Sequence, residues 1–134
     1  MIGLDTNVMV RYLVQDDPKQ SAIATAFIEK SMSEGSTLWI GLVTLCEIIW
    51  VLEKCYELTK QELVDLLLQL LQTKQLKIEL DEVVWRAWND YKQGSGIGFS
   101  DCMIGRQNIS QGCVATYTFD KKAAKRLADS FREL

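Results

Sequence analysis

The chain has 134 residues, of which 48% are hydrophobic and 25% are charged, which is enough apolar material for one globular domain with its own core. We therefore predict a single domain over residues 1–134. The sequence contains no histidine, which excludes imidazole-based triads and removes the commonest general base and zinc ligand. Its net charge of −3 argues against a uniformly basic nucleic-acid surface but leaves room for a local basic patch.

No segment has the features of a membrane span or an export signal. The longest apolar runs, such as 48–52 and 66–68, are far shorter than a bilayer span, and the amino terminus has no basic region followed by an apolar stretch. The four cysteines show no CxxC spacing and lie in apolar segments. We therefore expect a cytoplasmic protein with buried, reduced thiols and no membrane partner.

The first half of the chain alternates between strand and helix patterns. An apolar run, Met1 to Leu4, is predicted as a strand that leads through Asp5 into a helix. Pro18, after two aspartates, favours the first turn of a second helix that ends at Gly35. The remaining predictions here are a strand over 37–40 and a helix over 43–56, which carries Glu47.

The second half continues the alternation. Thr59 and Glu62 form a capping-box pattern before a leucine-rich helix that runs to about residue 73. Three glycines mark the stretch 93–98 as the most flexible loop and the rim of a candidate site. Before this loop we predict a strand over 76–80 and a helix over 81–91 that buries Val84, Trp85 and Trp88. After it we predict a helix beginning near Asp101, a strand over 114–119, a helix over 121–130 and a short edge strand over 131–134.

This alternation predicts an α/β fold, a three-layer α/β/α arrangement with a central, mostly parallel sheet of four to five strands. In such sheets ligands bind beyond the carboxyl ends of the strands. Asp5 and Asp120 both follow a predicted strand. If the first and fourth strands are neighbours, these two side chains face each other, and Glu47 and Asp101 are available from adjacent helices.

Four converging carboxylates have a definite chemical consequence. Their mutual repulsion requires a divalent cation at neutral pH, and oxygen-only ligands favour Mg²⁺ or Mn²⁺ over zinc. Such an ion polarises a phosphoryl oxygen and activates water, which phosphodiester hydrolysis requires. The residues therefore indicate metal-dependent phosphodiester hydrolysis without histidine.

Four sequence blocks carry a resemblance to a known family. They are Leu4-Asp5-Thr6-Asn7-Val8, Glu47, Gly98-Phe99-Ser100-Asp101-Cys102-Met103-Ile104 and Thr116-Tyr117-Thr118-Phe119-Asp120-Lys121-Lys122-Ala123. Together they resemble the four acidic blocks of the PIN-domain family, and within it the VapC-type toxins of bacterial toxin–antitoxin operons. The resemblance extends from Ile2 to the last helix.

The resemblance implies a Mg²⁺- or Mn²⁺-dependent endoribonuclease that cleaves RNA, inhibits translation, is restrained by a cognate antitoxin and forms a homodimer or higher homo-oligomer. It assigns metal binding and catalysis to four acids, with Asp120 completing the pocket. Small polar residues near the first and fourth acids support the site in the family. The matching residues are Asp5, Glu47, Asp101 and Asp120 for the site, and Thr6, Asn7 and Thr118 for its support.

Each of these residues also has a simpler interpretation. An aspartate after a strand often only caps a helix, and Glu47 could lie on a solvated helix face. Weaker candidates for binding RNA phosphates are Arg11, Arg106, Lys121 and Lys122, although charge runs usually form solvated faces. The four tryptophans are expected in the core or an interface rather than stacked on bases.

Two other functions stay open at this stage. The first is a non-catalytic binding module that is regulated by a protein partner. The second is phosphoryl transfer through an aspartyl phosphate, which also uses an acid at a strand end. Asn7 disfavours the second, because it replaces the second aspartate of the DxD pattern that one such fold class uses.

Overall fold

The computed structural model describes residues 1–94 and 96–134. Its internal contacts divide the chain into two units, Met1–Glu79 and Leu80–Leu134. The single domain that the sequence suggests stays a prediction. Among the described residues, no helix combines the length and the apolar character that crossing a bilayer requires.

The first unit alternates strands with helices, as predicted. Its order is β1 (Ile2–Gly3), α1 (Thr6–Val14), α2 (Pro18–Ser33), β2 (Leu38–Ile40), α3 (Leu42–Lys54), α4 (Lys60–Gln72) and β3 (Leu76–Ile78). The strands pair in parallel in the order β1-β2-β3, with Ile2 opposite Leu38 and Ile40 opposite Ile78. Side chains of β2, α3 and α4 form the core, where Ile40, Leu45, Ile48, Leu52, Leu63 and Leu67 are fully buried.

Local sequence signals explain where these helices begin. Asp17 accepts a hydrogen bond from the Gln20 amide at 2.8 Å, and Pro18 occupies the first turn of α2. Thr59 and Glu62 form the predicted capping box at the start of α4. These caps satisfy backbone N–H groups that have no partner within the helix.

The second unit contains α5 (Asp81–Gln93), α6 (Phe99–Ser110), β4 (Thr116–Thr118), α7 (Lys121–Arg126) and β5 (Phe131–Glu133). Helices α5 and α6 pack together through an edge-to-face contact of Tyr91 with Phe99, whose ring centroids are 5.7 Å apart. Strands β4 and β5 pair in parallel. The predicted α/β class is confirmed, and hydrogen bonding groups the described strands into a three-stranded and a two-stranded sheet.

Several predicted boundaries differ from the structure. The strand expected over 114–119 is shorter, because β5 supplies only three residues to pair with it. The last helix ends at Arg126 rather than at 130, since the chain turns there to bring Phe131 into β5. Val84 is buried as predicted, but Trp85 and Trp88 are only half-buried, and Val83, Ala87 and Tyr91 complete the buried face of α5.

The cysteines only partly match the prediction. None of them forms a disulfide within the described chain. Cys102 is buried and Cys46 is half-buried, whereas Cys55 and Cys113 are exposed. The expectation of burial is therefore wrong for the last two, which lie at the ends of α3 and α6 rather than on their buried faces.

Gly105 gives a test of how tightly the second unit packs. A Cβ on this residue would lie 2.7 Å from a Phe131 ring carbon and 2.8 Å from Ser130 Cβ. Alanine normally favours a helix by about 1 kcal/mol over glycine, but the clash reverses the sign here. We expect Gly105→Ala to lower the free energy of unfolding by about 1–3 kcal/mol in a urea titration.

Gly3→Ala is the control for this substitution, because no atom lies within 4 Å of its added Cβ. Its free energy of unfolding should change by less than about 0.5 kcal/mol. If Gly105→Ala is as stable as the wild type, the close contact with Phe131 does not exist in solution.

Candidate acidic site

Asp5 lies at the junction between β1 and α1. The Leu4 amide donates to the Trp39 carbonyl at 3.0 Å and holds the end of the strand in the sheet. Asp5 then caps α1, and its Oδ1 accepts a hydrogen bond from the Thr6 amide at 2.8 Å. The side chain is exposed, so the sequence places a fixed carboxylate at the carboxyl end of a parallel strand.

Glu47 lies on the exposed face of α3. Its neighbours Leu45 and Ile48 are buried, whereas Val43 and Trp50, on the same face as Glu47, are exposed. Within residues 1–94 and 96–134 the Glu47 carboxylate has neither a hydrogen bond nor an ion pair. The Glu47 side chain is therefore solvated, as the simpler interpretation expects, and its charge is not held in an ion pair within the described residues.

One cavity brings Asp5 and Glu47 together. It has a volume of about 250 Å³ and lies between α1 and the exposed side of α3. Thr6 and Asn7 also line it. The Thr6 side chain is 7% exposed, and its Oγ1 has no hydrogen-bond partner among the described residues. A buried hydroxyl of this kind generally finds a water molecule or a ligand, which fits the supporting role predicted for Thr6.

Arg11 lies in the same cavity but is already engaged by the protein. Its Nη1 donates to the Tyr56 hydroxyl at 3.0 Å and to Asp16 Oδ1 at 3.2 Å, and its Nε donates to Gln20 at 2.8 Å. The Tyr56 hydroxyl donates to Asp16 Oδ2 at 2.9 Å, which lowers the pKa of that carboxyl. An RNA phosphate would have to compete with these partners for Arg11.

The hydrogen bonds that join Arg11, Asp16 and Tyr56 were not predicted from the sequence. The Asp16-Asp17-Pro18 pattern reads as a helix start, and Tyr56 is separated from Arg11 by 45 positions. Nothing in the local sequence around Tyr56 indicates the contact.

Asp101 and Asp120 form a second acidic pair, in the unit from 80 to 134. Asp101 is half-buried in the first turn of α6. Desolvation raises its pKa, and the negative charge of Asp120 raises it further. The two carboxylates are therefore close enough to repel each other.

Asp120 is positioned by its neighbours in the chain. Its Oδ1 accepts a hydrogen bond from the Ala123 amide at 3.1 Å and caps α7. Its own amide donates to Thr118 Oγ1 at 3.0 Å. Thr118 thus restrains the backbone at Asp120, and its supporting role in a site stays a prediction.

The basic candidates of the second unit differ in their surroundings. Arg106 makes a two-point ion pair with Asp90 at 2.6 and 2.8 Å, which raises the pKa of the guanidinium, so a phosphate would have to compete for it. Lys121 and Lys122 are exposed, and in the described chain neither makes an ion pair. They stay candidates for contacting RNA.

The glycine-rich loop over 93–98 is near the start of α7. A Cβ on Gly96 would lie 3.0 Å from Lys122 Nζ, and Gly96 has φ +72°, a conformation that favours glycine. Ser95 lies outside the described residues, and with it part of the prediction that this loop is flexible. The contact places Gly96 beside Lys122, and that the loop forms the rim of a site stays a prediction.

The structure thus shows two pairs of acids. Among the described residues, no three acidic or thiol side chains are grouped closely enough to hold a metal ion. Strand β1 pairs with β2 and β4 pairs with β5. Among the described residues, hydrogen bonds do not pair the first strand with the fourth, so the prediction that Asp5 lies opposite Asp120 is not supported by strand pairing.

Comparison with known proteins identifies one family. The family model described as the PIN domain matches residues 2–129, which is nearly the whole chain and includes all four acids. Comparison with curated proteins gave no match, and neither did comparison with solved structures.

The interaction between the two acids of the second unit can be measured. In Asp120→Asn we expect the pKa of Asp101 to fall, because the substitution removes a neighbouring negative charge while asparagine still caps α7. Desolvation, the larger cause, persists, so the pKa should stay above its ordinary value. A pH titration of the carboxyl carbons by NMR would give the shift.

Asp129→Asn is the matched control, since Asp129 is exposed in the same unit and has no part in the Asp101 shift. It should leave the titration of Asp101 unchanged. Equal effects of the two substitutions would contradict a direct interaction between Asp101 and Asp120.

Proposed function

Because the chain belongs to the PIN domain family, whose members are generally metal-dependent nucleases, we propose that it is a Mg²⁺- or Mn²⁺-dependent endoribonuclease. The acids proposed to bind the ion are Asp5 and Glu47 in the first unit, and Asp101 and Asp120 in the second. The observation that carries this proposal is the absence of protein cations from these acids: in the described chain none of the four forms an ion pair.

The donor groups fit a hard divalent cation. The acids offer only oxygen, and the chain has no histidine that would favour zinc. The orphaned Thr6 Oγ1 beside Asp5 is a further polar atom in need of a partner, such as a bound water. Among the described residues each pair supplies two carboxylates, so water molecules would have to supply the remaining ligands of a bound ion. When bound, it would polarise a phosphoryl oxygen and lower the pKa of water.

The residues of the chain have separate tasks in this proposal. Asp5 and Asp120 are held by their cap hydrogen bonds, so their carboxylates are positioned before RNA binds. Asp101 is half-buried and close to the charge of Asp120, so a cation bound there would relieve the repulsion between the two carboxylates. Lys121 and Lys122 would bind phosphates beside Asp120.

The resemblance to VapC-type toxins supports a proposal for the biological role of the enzyme. We infer that the enzyme is the toxin of a toxin–antitoxin pair, that it acts on RNA in the cytoplasm, and that it works as a homodimer or higher homo-oligomer. Induced expression in a bacterial host should arrest translation, and Glu47→Gln should not. Arrest by Glu47→Gln would argue against toxicity through RNA cleavage.

A second candidate is a non-catalytic PIN domain that binds a protein partner. Such a module would not need the three-acid group that is missing among the described residues. It predicts that no RNA is cleaved at any Mg²⁺ or Mn²⁺ concentration.

Cleavage of purified RNA separates the two candidates. With Mn²⁺ the wild type should cut unpaired RNA, and Glu47→Gln should reduce the rate more than roughly 100-fold, the upper end of what losing a mere supporting residue costs. The measurement is the appearance of fragments on a denaturing gel. Glu29→Gln, an exposed acid on α2, is the control and should retain full activity. Undiminished cleavage in excess chelator would contradict the proposal.

Thermal unfolding gives an independent test of the ion. The pKa of Asp101 is raised in the folded state, so its contribution to stability falls as the pH rises from the unfolded-state pKa through the folded-state pKa. At neutral pH, Asp101→Asn should therefore raise the Tm in the absence of metal. Mn²⁺ should raise the Tm of the wild type more than that of Asp101→Asn. Asp129→Asn should show the same Mn²⁺ shift as the wild type, and an equal Mn²⁺ shift in all three proteins would exclude Asp101 as a ligand.

A further inference from the structure

Arg11 uses only part of its guanidinium to bind the protein. Its Nε donates to Gln20, and its Nη1 donates to both Asp16 and the Tyr56 hydroxyl. A guanidinium has five N–H groups, and these three hydrogen bonds leave both N–H groups of Nη2 without a partner in the described chain. The side chain is 29% exposed, so it is only partly hydrated. Donors in such surroundings generally bind a water molecule or a ligand.

Arg11 also borders two cavities of the first unit. One, of about 250 Å³, contains Glu47 and Tyr56, and the other, of about 440 Å³, extends along α2. Three residues line both cavities, namely Asp5, Asn7 and Arg11. The guanidinium therefore lies near the acid that would hold the ion under the proposed function.

A closed triangle of hydrogen bonds holds Arg11 apart from the acids of its cavity. A free guanidinium that shares a cavity with two carboxylates would be drawn into an ion pair with one of them. In the described chain Arg11 pairs with Asp16 instead, at 3.2 Å, while Asp5 and Glu47 form no ion pair. The Tyr56 hydroxyl accepts from Arg11 at 3.0 Å and donates to Asp16 at 2.9 Å. The triangle thus fixes a cation beside the acids without neutralising them.

We propose that Tyr56 and Asp16 position Arg11 so that its Nη2 binds a phosphate of RNA beside Asp5 and Glu47. The inference rests on the proposed function and adds two positioning residues and the atom through which Arg11 acts. A phosphate would have to displace a partner at Nε or Nη1, but it displaces none at Nη2. A planar guanidinium that is anchored along one edge presents its other donors in a fixed direction, which the flexible lysine side chain does not.

A purely structural role is the simpler interpretation of the triangle. Arg11 belongs to α1, Asp16 precedes α2 and Tyr56 follows α3, so the three side chains also join these elements. If that is their only role, Tyr56→Phe lowers the Tm and leaves the affinity for RNA unchanged. The proposal instead predicts weaker binding that depends on the phosphate charge.

Binding of a labelled oligonucleotide to the full chain separates the two interpretations. The probe is a fluorescein-labelled oligouridine of about 12 nucleotides, and its anisotropy is measured in EDTA so that it is not cleaved. Arg11→Lys keeps the charge but loses the planar donor group, and it should raise the Kd about tenfold. Tyr56→Phe should raise the Kd about fivefold. Tyr12→Phe is the matched control, because the Tyr12 hydroxyl makes no hydrogen bond in the described chain, and it should bind like the wild type.

Two further measurements identify the contact as one with phosphate that acts through Arg11. An oligomer with neutral methylphosphonate linkages cannot form the charge-assisted hydrogen bond, so it should bind the wild type, Arg11→Lys and Tyr56→Phe equally. In the double variant, Tyr56→Phe should add little to the effect of Arg11→Lys, because the hydroxyl then has no guanidinium to position. Independent effects that multiply in the double variant would contradict the positioning role.

The outcomes separate this inference from the proposed function. If the wild type cleaves RNA and both single variants bind it as tightly as the wild type, the Arg11 contact is wrong while the nuclease assignment stands. If Tyr56→Phe weakens binding of the neutral oligomer as much as binding of RNA, its role is only structural, which also overturns the inference. If the wild type binds RNA through Arg11 without cleaving it, the contact stands and the nuclease assignment fails. If it neither binds nor cleaves RNA, both proposals fail.

Discussion

Repulsion between carboxylates is the constraint around which the candidate site is organised. Asp101 is partly removed from solvent and faces the charge of Asp120, and both effects make its ionised form less stable. A fold tolerates such a pair only if the surrounding structure contributes enough stability to hold it. Here the supporting contacts are the cap of α7, the Thr118 hydrogen bond and the packing of α6 against α5. An arrangement that costs stability without a protein cation to balance it is typical of a functional site.

The elements of the fold were largely readable from the sequence because their signals are local. The capping box at Thr59 and the proline at the start of α2 involve residues within one helical turn, and both appear where they were expected. Strand lengths were not readable, since a strand extends only as far as its partner. Residues 114–119 have strong β propensity, but β5 pairs with only three of them.

The location of Asp5 and Asp120 after strands could be predicted from the sequence. The residues that surround the candidate acids could not. Asp5 and Asp120 follow strands in the sequence, and they follow strands in the structure. The partners of the arginines could not be predicted, because Asp90 is 16 residues from Arg106 and Tyr56 is 45 residues from Arg11. The exposure of Tyr117 and Phe119 was also not predictable, because aromatic residues at these positions fit a buried strand as well as an exposed one. Both side chains are exposed in the structure.

The simplest alternative for Asp5 and Asp120, that they only cap helices, does not compete with a role in metal binding. Each uses Oδ1 for its cap hydrogen bond, and in the described chain Oδ2 accepts none. A carboxylate has two oxygens, so one can accept from the helix while the other faces a ligand. The cap also restricts rotation of the side chain, which lowers the entropy cost of binding an ion. Glu47 and Asp101 have no such tether, so ion binding would have to order their side chains. Under the proposed function, the capped aspartate of each pair would therefore be the prearranged ligand, and ion binding would have to order the other acid of that pair.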